Sequence, residues 1–563
     1  MPAPWVLPDE IVYSELAKSI AAGHRPAVRG VPVFGWGEVY PTLIAPAWAL
    51  IEDPVSSYHA ALGISALVMS LAAVPSYFLA RLFVSRRASV LVAAMTVLVP
   101  SMAYTGALMT ENAFYPVFLL SVLLIARAVQ RPSIGRQALA LAGLVLVGFT
   151  RIQGLGLVGA YLLAILVFAL TGEPSRRSAY LRRFRPTVAM LVAALSAPVL
   201  GSIARGDGAF GWLGARSGTF AEFHPREVPQ WLAYLASDLI LYVAVIPVAA
   251  TAVVTGMGFR RGASERLRLY AAVTLPTASA MLCSVALVSA SLDVDGRENL
   301  NERYVFYVVP LLVCGLAIWI HEGLPRRNPW STAVVGVCCL LAASLPIDRL
   351  GYNAGFQSVA LLPWLDLSLS RPALALVVTG FVAGCGVLWL SCRRERVGRL
   401  WLVVGVWMVF VGLLAVGSNL RSAQVFEEAF RGRAADWVDR VVPAGARAGV
   451  LWDESRAPRE PDLFSYWLMV TEFFNRDVGI VYRTGPPTYY EAFLPTVPVS
   501  SGRDGTVVDA SQEPIAPEFV LVSCRAPVLG RVVAEAPRGA WRLVAPRTPL
   551  RLTSAGMCHR DRP

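Results

Sequence analysis

Few residues in this chain are placed to do chemistry, and most of those are charged groups beside apolar sequence. Asp9 and Glu10 are adjacent carboxylates at the head of "PDEIVYSELAKSI" (8–20). Glu111 stands in "LMTENAFYPVFLL" (108–120), at the mouth of an apolar run, and Arg151 interrupts another in "TRIQG" (150–154). Arg303 and Tyr304 open "RYVFYVVP" (303–310), and His224 follows Glu222 in "TFAEFHPRE" (219–227). A carboxylate can take the proton of a hydroxyl as it attacks. A guanidinium can hold an anion whose charge grows, more strongly where water is sparse.

Each of these residues also has a plainer reading. Asp is a favoured N-cap and acids suit a helix N-terminus, so Asp9 and Glu10, taken alone, are best explained as caps. Glu111 can simply mark the end of a span, and Arg303 can anchor its helix at the interface. Arg151 is costly inside an apolar stretch unless it faces a cavity or a partner, as is Asp238. Asp293, Asp295 and Glu298 in "DVDGRENLNER" do not complete an EF-hand and read as a solvated loop. His59, His224 and His321 are scattered and form no ligand set. No residues are assigned to a metal.

The elements that must position these groups follow from composition. Of 563 residues, 56% are hydrophobic and 16% charged, where a soluble protein carries about 25% charged. Apolar segments long enough to cross a hydrocarbon core of about 30 Å recur along the chain. They are expected near 59–81, 88–107, 113–130, 137–150, 153–171, 186–204, 231–257, 269–291, 304–321, 330–346, 373–391 and 400–417. Residues 137–171 read as two short helices turning at Arg151. The chain is therefore a polytopic α-helical membrane protein of about 12 spans.

The net charge of +12 falls in arginine clusters between the spans, such as Arg127/Arg131/Arg136 and Arg260/Arg261/Arg266/Arg268. Every second loop is basic, which is the positive-inside pattern and argues against a nucleic-acid partner. Alternation places 1–57, 108–112, 205–230, 292–303, 347–371 and everything after 418 outside the cytoplasm, in a plasma-membrane protein. Three regions follow: 1–57, a first extracytoplasmic loop with juxtamembrane amphipathic helices; 58–418, the helical membrane domain; and 419–563, an extracytoplasmic α/β domain. In that last region "GVLWD" (449–453), "VGIVY" (478–482), "EFVLVSC" (518–524) and "WRLVAP" (541–546) read as strands, with helices in "EEAFRGRAADWVDRVV" and "PDLFSYWLMVTEFFN". Its Cys524 and Cys558 would be free to pair outside the cytoplasm. Nothing visible at Met1 would carry 1–57 across, so one further span is expected upstream. Val12, Leu16 and Ile20 form one apolar stripe, which suits a helix lying on the membrane surface.

The stretches "PDEIVYSELAKSIAAGH" and "GEVYPTLIAPAW" (37–48) resemble the first outer loop of GT-C polyprenyl-phosphate-sugar-dependent glycosyltransferases, nearest to aminoarabinose transferases and protein O-mannosyltransferases. "LMTENAFYPVFLL" is similar to their second acidic loop, and "RYVFYVVP" to a later segment in which a basic residue precedes Tyr-x-x-Pro. The resemblance spans residues 8–310. It implies a GT-C-like membrane enzyme that passes a hexosyl or pentosyl group from a polyprenyl-phosphate donor to a glycan, lipid or protein acceptor outside the cytoplasm. Carried over, Asp9 would be the catalytic acid, acting as base on the acceptor, with Glu10 and Glu111 as orienting or metal-binding acids. Arg303 would contact the donor phosphate. Apart from the resemblance, the chemistry of a leaving phosphate makes Arg151 a second candidate guanidinium, with Tyr304 beside Arg303, and His224 with Glu222 in an outer loop as candidates to help at the site. One departure stands out: Tyr40 occupies the position before Pro41 where aminoarabinose transferases have Lys. A single displacement implies inversion at the anomeric carbon. No cofactor is demanded, although the acids would accept a divalent cation such as Mg or Mn.

The alternative is a transporter or flippase of lipid-linked sugars, which should show repeats and helices broken at the midplane. A non-catalytic envelope scaffold whose tail binds glycan leaves the surface acids unexplained. Aromatics in "DLFSYWLMVTEFF" and "PPTYYEAF" suit either sugar stacking or a core, the core being the ordinary reading.

Overall fold

The computed structural model describes residues 8–33, 35, 37–208, 223–291, 300–325, 329–351, 354–430, 436–443, 445–453, 461–485, 494–502, 504–523, 528–536 and 541–553. The expectations for Glu222, for Asp293, Asp295 and Glu298, for Cys524 and Cys558, and for "PPTYYEAF" lie outside the described residues. The chain divides into two compact units: Met1–Ser65 with Gly106–Met109 and Leu420–Pro563, and Ala66–Thr105 with Thr110–Asn419.

The chain is a multi-pass helical membrane protein. Seven helices among the described residues are long and apolar enough to cross a bilayer: Pro54–Ala80, Glu111–Gln130, Ile152–Leu170, Arg185–Ala204, Glu265–Ser289, Arg371–Ser391 and Arg394–Gln424. Two bent pairs raise this to nine if each counts as one span, and Ile134–Thr150, Phe306–His321 and Pro329–Ser344 are apolar but shorter. All twelve expected segments are helical, but not all span by length. In Glu111–Gln130, 72% of the apolar window is buried by protein, against 17% in Arg185–Ala204. The first is thus central in its unit and the second peripheral.

The segment expected as one span over 231–257 is broken. Pro225–Tyr242 and Ile246–Gly258 meet at 114°, with Ala244 at φ 53° and Val245 at φ 66°. Pro247 has no N–H to donate into a continuing helix, and its ring disfavours helical backbone just before it. The turn at Arg151 is as expected. The helix Ile134–Thr150 ends, Arg151 is extended (φ −164°, ψ 140°), and the chain re-enters a helix at Gly156. Gly154 permits this close turn, because a Cβ there would stand 2.6 Å from the Val147 carbonyl oxygen.

The other unit holds the N-terminal helix and the tail. The stripe on Pro8–Ala21 is buried at Ile11, Val12, Leu16 and Ala17, and the helix packs against Val39–Leu50. Protein rather than lipid therefore covers the face expected on the membrane surface. All four expected tail strands form, within a seven-stranded sheet ordered Val507–Asp509, Val497–Ser501, Val478–Thr484, Ala448–Asp453, Phe519–Ser523, Trp541–Pro546, Gly530–Glu535. Ala448–Asp453 pairs in parallel with both its neighbours and is buried on both faces, as central parallel strands are. Val450 and Trp452 enter one cluster with Leu521 and Trp541, while Leu451 enters another with Val520 and Val544. The expected helix over 461–475 is Pro461–Phe474, whose Leu468, Val470 and Phe473 are core. Arg29 and Glu472, each almost wholly buried, form a two-point ion pair, with Nη2 donating to Oε2 at 2.7 Å.

Candidate functional site

The helix Glu111–Gln130 begins with a buried acid. Two arginines close on it from different parts of the chain. Arg151 Nη1 lies 2.6 Å from Glu111 Oε2, and Arg303 Nε lies 3.8 Å from Oε1. Arg151 reaches there because the helix before it stops at Thr150. Its guanidinium also donates to Thr110 Oγ1 at 3.2 Å and to Gln153 Oε1 at 2.9 Å.

Tyr304 joins the two cations. The Arg151 guanidinium carbon is 4.3 Å from the Tyr304 ring centroid and that of Arg303 is 4.7 Å away, with Phe356 a further 5.1 Å contact for Arg303. Arg303 Nη2 donates to the Tyr304 hydroxyl. Such contacts are worth about 2 kcal/mol each when desolvated. Two guanidiniums thus converge on one carboxylate and one ring, in a setting with little water. Guanidiniums held this way are strong, charge-assisted hydrogen-bond donors.

Arg303 is aimed by the segment before it, which is pinned at each residue. Ser358 Oγ donates to the Leu300 carbonyl, and Asn301 Nδ2 donates to Ser289 Oγ at 3.1 Å. The Ala360 N–H donates to Glu302 Oε2 at 2.8 Å. Glu302 also hydrogen-bonds the side chain of Asp238, and both acids are buried. Two carboxyls in such contact cannot both ionise, so the pair holds a proton. Burial, and next the Asp238 charge, push the Glu302 carboxyl well above the usual range.

Of the residues singled out from sequence, Glu111, Arg151, Arg303 and Tyr304 are brought together. His224 is exposed, and its backbone N–H donates to Ala290 O at 3.0 Å; among the described residues its side chain has no contact with that group. Asp9, Glu10 and Tyr40 belong to the other unit. Asp9 is the second residue of Pro8–Ala21 and half-buried. Glu10 is fully buried and accepts the Leu108 N–H at 2.9 Å, which fastens Gly106–Met109 to the N-terminal helix. The Tyr40 hydroxyl is 2.8 Å from Ser65 Oγ, and its ring lies edge-on to Tyr13.

Sequence reasoning missed Glu302, Thr110 and Phe356. The acid directly before Arg303 was the available signal for Glu302, and Asp238, noted for the cost of its burial, is its partner. Among the described residues no three His, Cys, Asp or Glu side chains converge on a cation position. Glu111 fits a divalent cation poorly on charge, since two guanidiniums already hold it.

No protein-family model matches the chain, and no curated protein matches it. Among solved structures it is similar to ArnT, the aminoarabinose transferase of Cupriavidus metallidurans, in the apo state, at 15% identity over 96% of this chain and 94% of that one, with TM-score 0.53. The same protein bound to undecaprenyl phosphate matches at 14% identity over 97% and 95%, with TM-score 0.52. An Archaeoglobus fulgidus oligosaccharyltransferase tethered to an acceptor peptide matches more loosely, with TM-score 0.39 at 12% identity over 97% and 72%. The likeness to ArnT is one of fold, and it shows that this chain has a GT-C-like fold: a polytopic helical membrane protein with a C-terminal domain built on a β-sheet.

Proposed function

We propose that this protein is a membrane glycosyltransferase that moves a sugar from a polyprenyl-phosphate donor to an acceptor at the outer face of the plasma membrane. One observation carries the reading: two buried guanidiniums from distant parts of the chain converge on one carboxylate and one tyrosine ring. Guanidiniums are the side chains best suited to pair with the phosphate of a lipid-borne phosphodiester. The GT-C-like fold agrees, and a protein of that fold binds undecaprenyl phosphate.

In the proposed reaction an acceptor hydroxyl attacks the anomeric carbon and the bond from that carbon to the phosphate oxygen breaks. The electron pair leaves with the phosphate, where Arg303 and Arg151 stabilise the growing charge. Asp9 takes the hydroxyl proton as general base, Glu10 supports the loop around it, and Glu111 orients the two guanidiniums. Tyr304 is the platform for both cations. Tyr40 and His224 are assigned to substrate contacts, and one displacement inverts the anomeric carbon. The acceptor is a glycan, lipid or protein of the cell envelope.

The test is transfer from a synthetic polyprenyl-phospho-sugar by purified wild type and by Asp9→Asn. Wild type transfers and Asp9→Asn does not. Equal transfer by both removes the base assigned here. The transporter reading draws on the 114° break between Pro225–Tyr242 and Ile246–Gly258. It requires movement of the intact lipid-linked sugar across vesicles with no change in its glycosidic bond.

A further inference from the structure

A second basic feature lies apart from Glu111, at the opposite end of the helix that this residue begins. There the helix Glu111–Gln130 ends, Ile134–Thr150 and Glu265–Ser289 begin and Gly156–Leu170 ends, around a hollow of about 340 Å³. Arg131, Arg136, Arg183 and Arg268 line it, with Tyr180 and Phe168. Arg268 stacks 4.8 Å over the Phe168 ring and donates Nη2 to the Phe168 carbonyl at 3.1 Å. The acid in the lining, Glu265, accepts from Gln130 Nε2 at 3.2 Å. Among the described residues none of the four guanidiniums forms an ion pair. The hollow thus carries three positive charges in excess. Ile134, Leu139, Leu170 and Leu181, each within three positions of a lining residue in the chain, are exposed apolar side chains.

The positive-inside pattern requires only that a loop be rich in arginine. It does not require four arginines from three segments of the chain to converge on one hollow with aromatic walls. Basic pockets at the ends of membrane helices suit lipid phosphates. We propose that this hollow binds the headgroup of an anionic phospholipid, a lipid carrying two phosphates being the best match in charge, with its acyl chains on the exposed leucine and isoleucine surface. This site is independent of the one at Glu111 and of the activity proposed for it.

Native mass spectrometry of the full-length protein tests this with cardiolipin, phosphatidylglycerol and phosphatidylcholine at equal concentration, and with pyrophosphate as competitor. Cardiolipin is retained in preference to phosphatidylcholine, and pyrophosphate does not displace it. The double variant Arg131→Ala/Arg183→Ala lowers cardiolipin retention about thirtyfold, two arginines' worth of attraction to a lipid phosphate. Arg260→Ala/Arg261→Ala, outside the lining, leaves retention unchanged. Equal retention of phosphatidylcholine by wild type overturns the proposal without need of any variant. An equal loss in both double variants overturns it in favour of diffuse charge, and displacement by pyrophosphate overturns it in favour of a free phosphate site.

Discussion

Glu111 and Arg151 meet at 2.6 Å in a place where the two side chains are only 2% and 9% exposed. Removing one partner of such a pair leaves a buried charge uncompensated, a cost of about 3–5 kcal/mol. Glu111→Ala is therefore expected to lower stability by about that much, since Arg303 loses its carboxylate as well. Glu111→Gln keeps the volume and a hydrogen-bond acceptor for Arg151, and should cost less. Thermal unfolding of the purified variants decides it, and equal melting temperatures for wild type and Glu111→Ala would refute the charge argument.

Tyr304 is the ring on which both guanidiniums rest. Tyr304→Phe keeps the π-face and loses one hydroxyl, a loss of about 1 kcal/mol or roughly fivefold in binding a polyprenyl-phosphate donor. Tyr304→Leu removes the platform, and about 2 kcal/mol corresponds to roughly thirtyfold weaker binding. Donor titration of the three proteins measures both. If Tyr304→Leu binds as well as Tyr304→Phe, the ring does not organise the site.

Glu302 gives a pH signature. Its folded carboxyl is pushed above the ordinary value of 4.5, by burial first and by Asp238 next. The folded state therefore keeps a proton that the unfolded chain releases. Stability from this group is complete below the unfolded value and is lost as pH rises through the folded one. Glu302→Gln cannot titrate, so the melting temperature of that variant should fall less from pH 5 upwards than that of wild type. Parallel curves would show that the pair holds no proton.

The sequence was most legible where a single local rule decides the structure. The tail strands around Val450 and Leu521 announced themselves as short apolar runs, and the turn at Arg151 as a charge inside one. Glu111, Arg151 and Arg303 could be singled out because a charge beside lipid needs a reason. Their contacts could not be read, because Glu111 and Arg303 are nearly two hundred positions apart and only packing closes that distance. The break at Val245 was hidden by apolar composition, which does not register backbone direction. Glu302 was masked by the stretch "DVDGRENLNER", whose acids all read alike from sequence, so the burial of this one could not be told. The covering of the N-terminal stripe by Val39–Leu50 was equally illegible, since an amphipathic helix does not state whether protein or lipid covers it.

The pair Arg29 and Glu472 joins the N-terminal segment to the helix Pro461–Phe474 within one unit, and Arg29 Nη1 also donates to Pro495 O at 3.0 Å. Both side chains are 2% exposed, so the pair gains Coulomb energy but has lost the hydration of both charges. Arg29→Met should therefore be strongly destabilising, by about 3–5 kcal/mol, because Glu472 stays buried with no cation. Adding Glu472→Leu removes the orphan charge, and the double variant should recover most of the loss. A double-mutant cycle on thermal unfolding separates these outcomes. If Arg29→Met alone is neutral, or if the second substitution adds to the first instead of relieving it, then desolvated charge pairing is not what holds this segment against the tail helix.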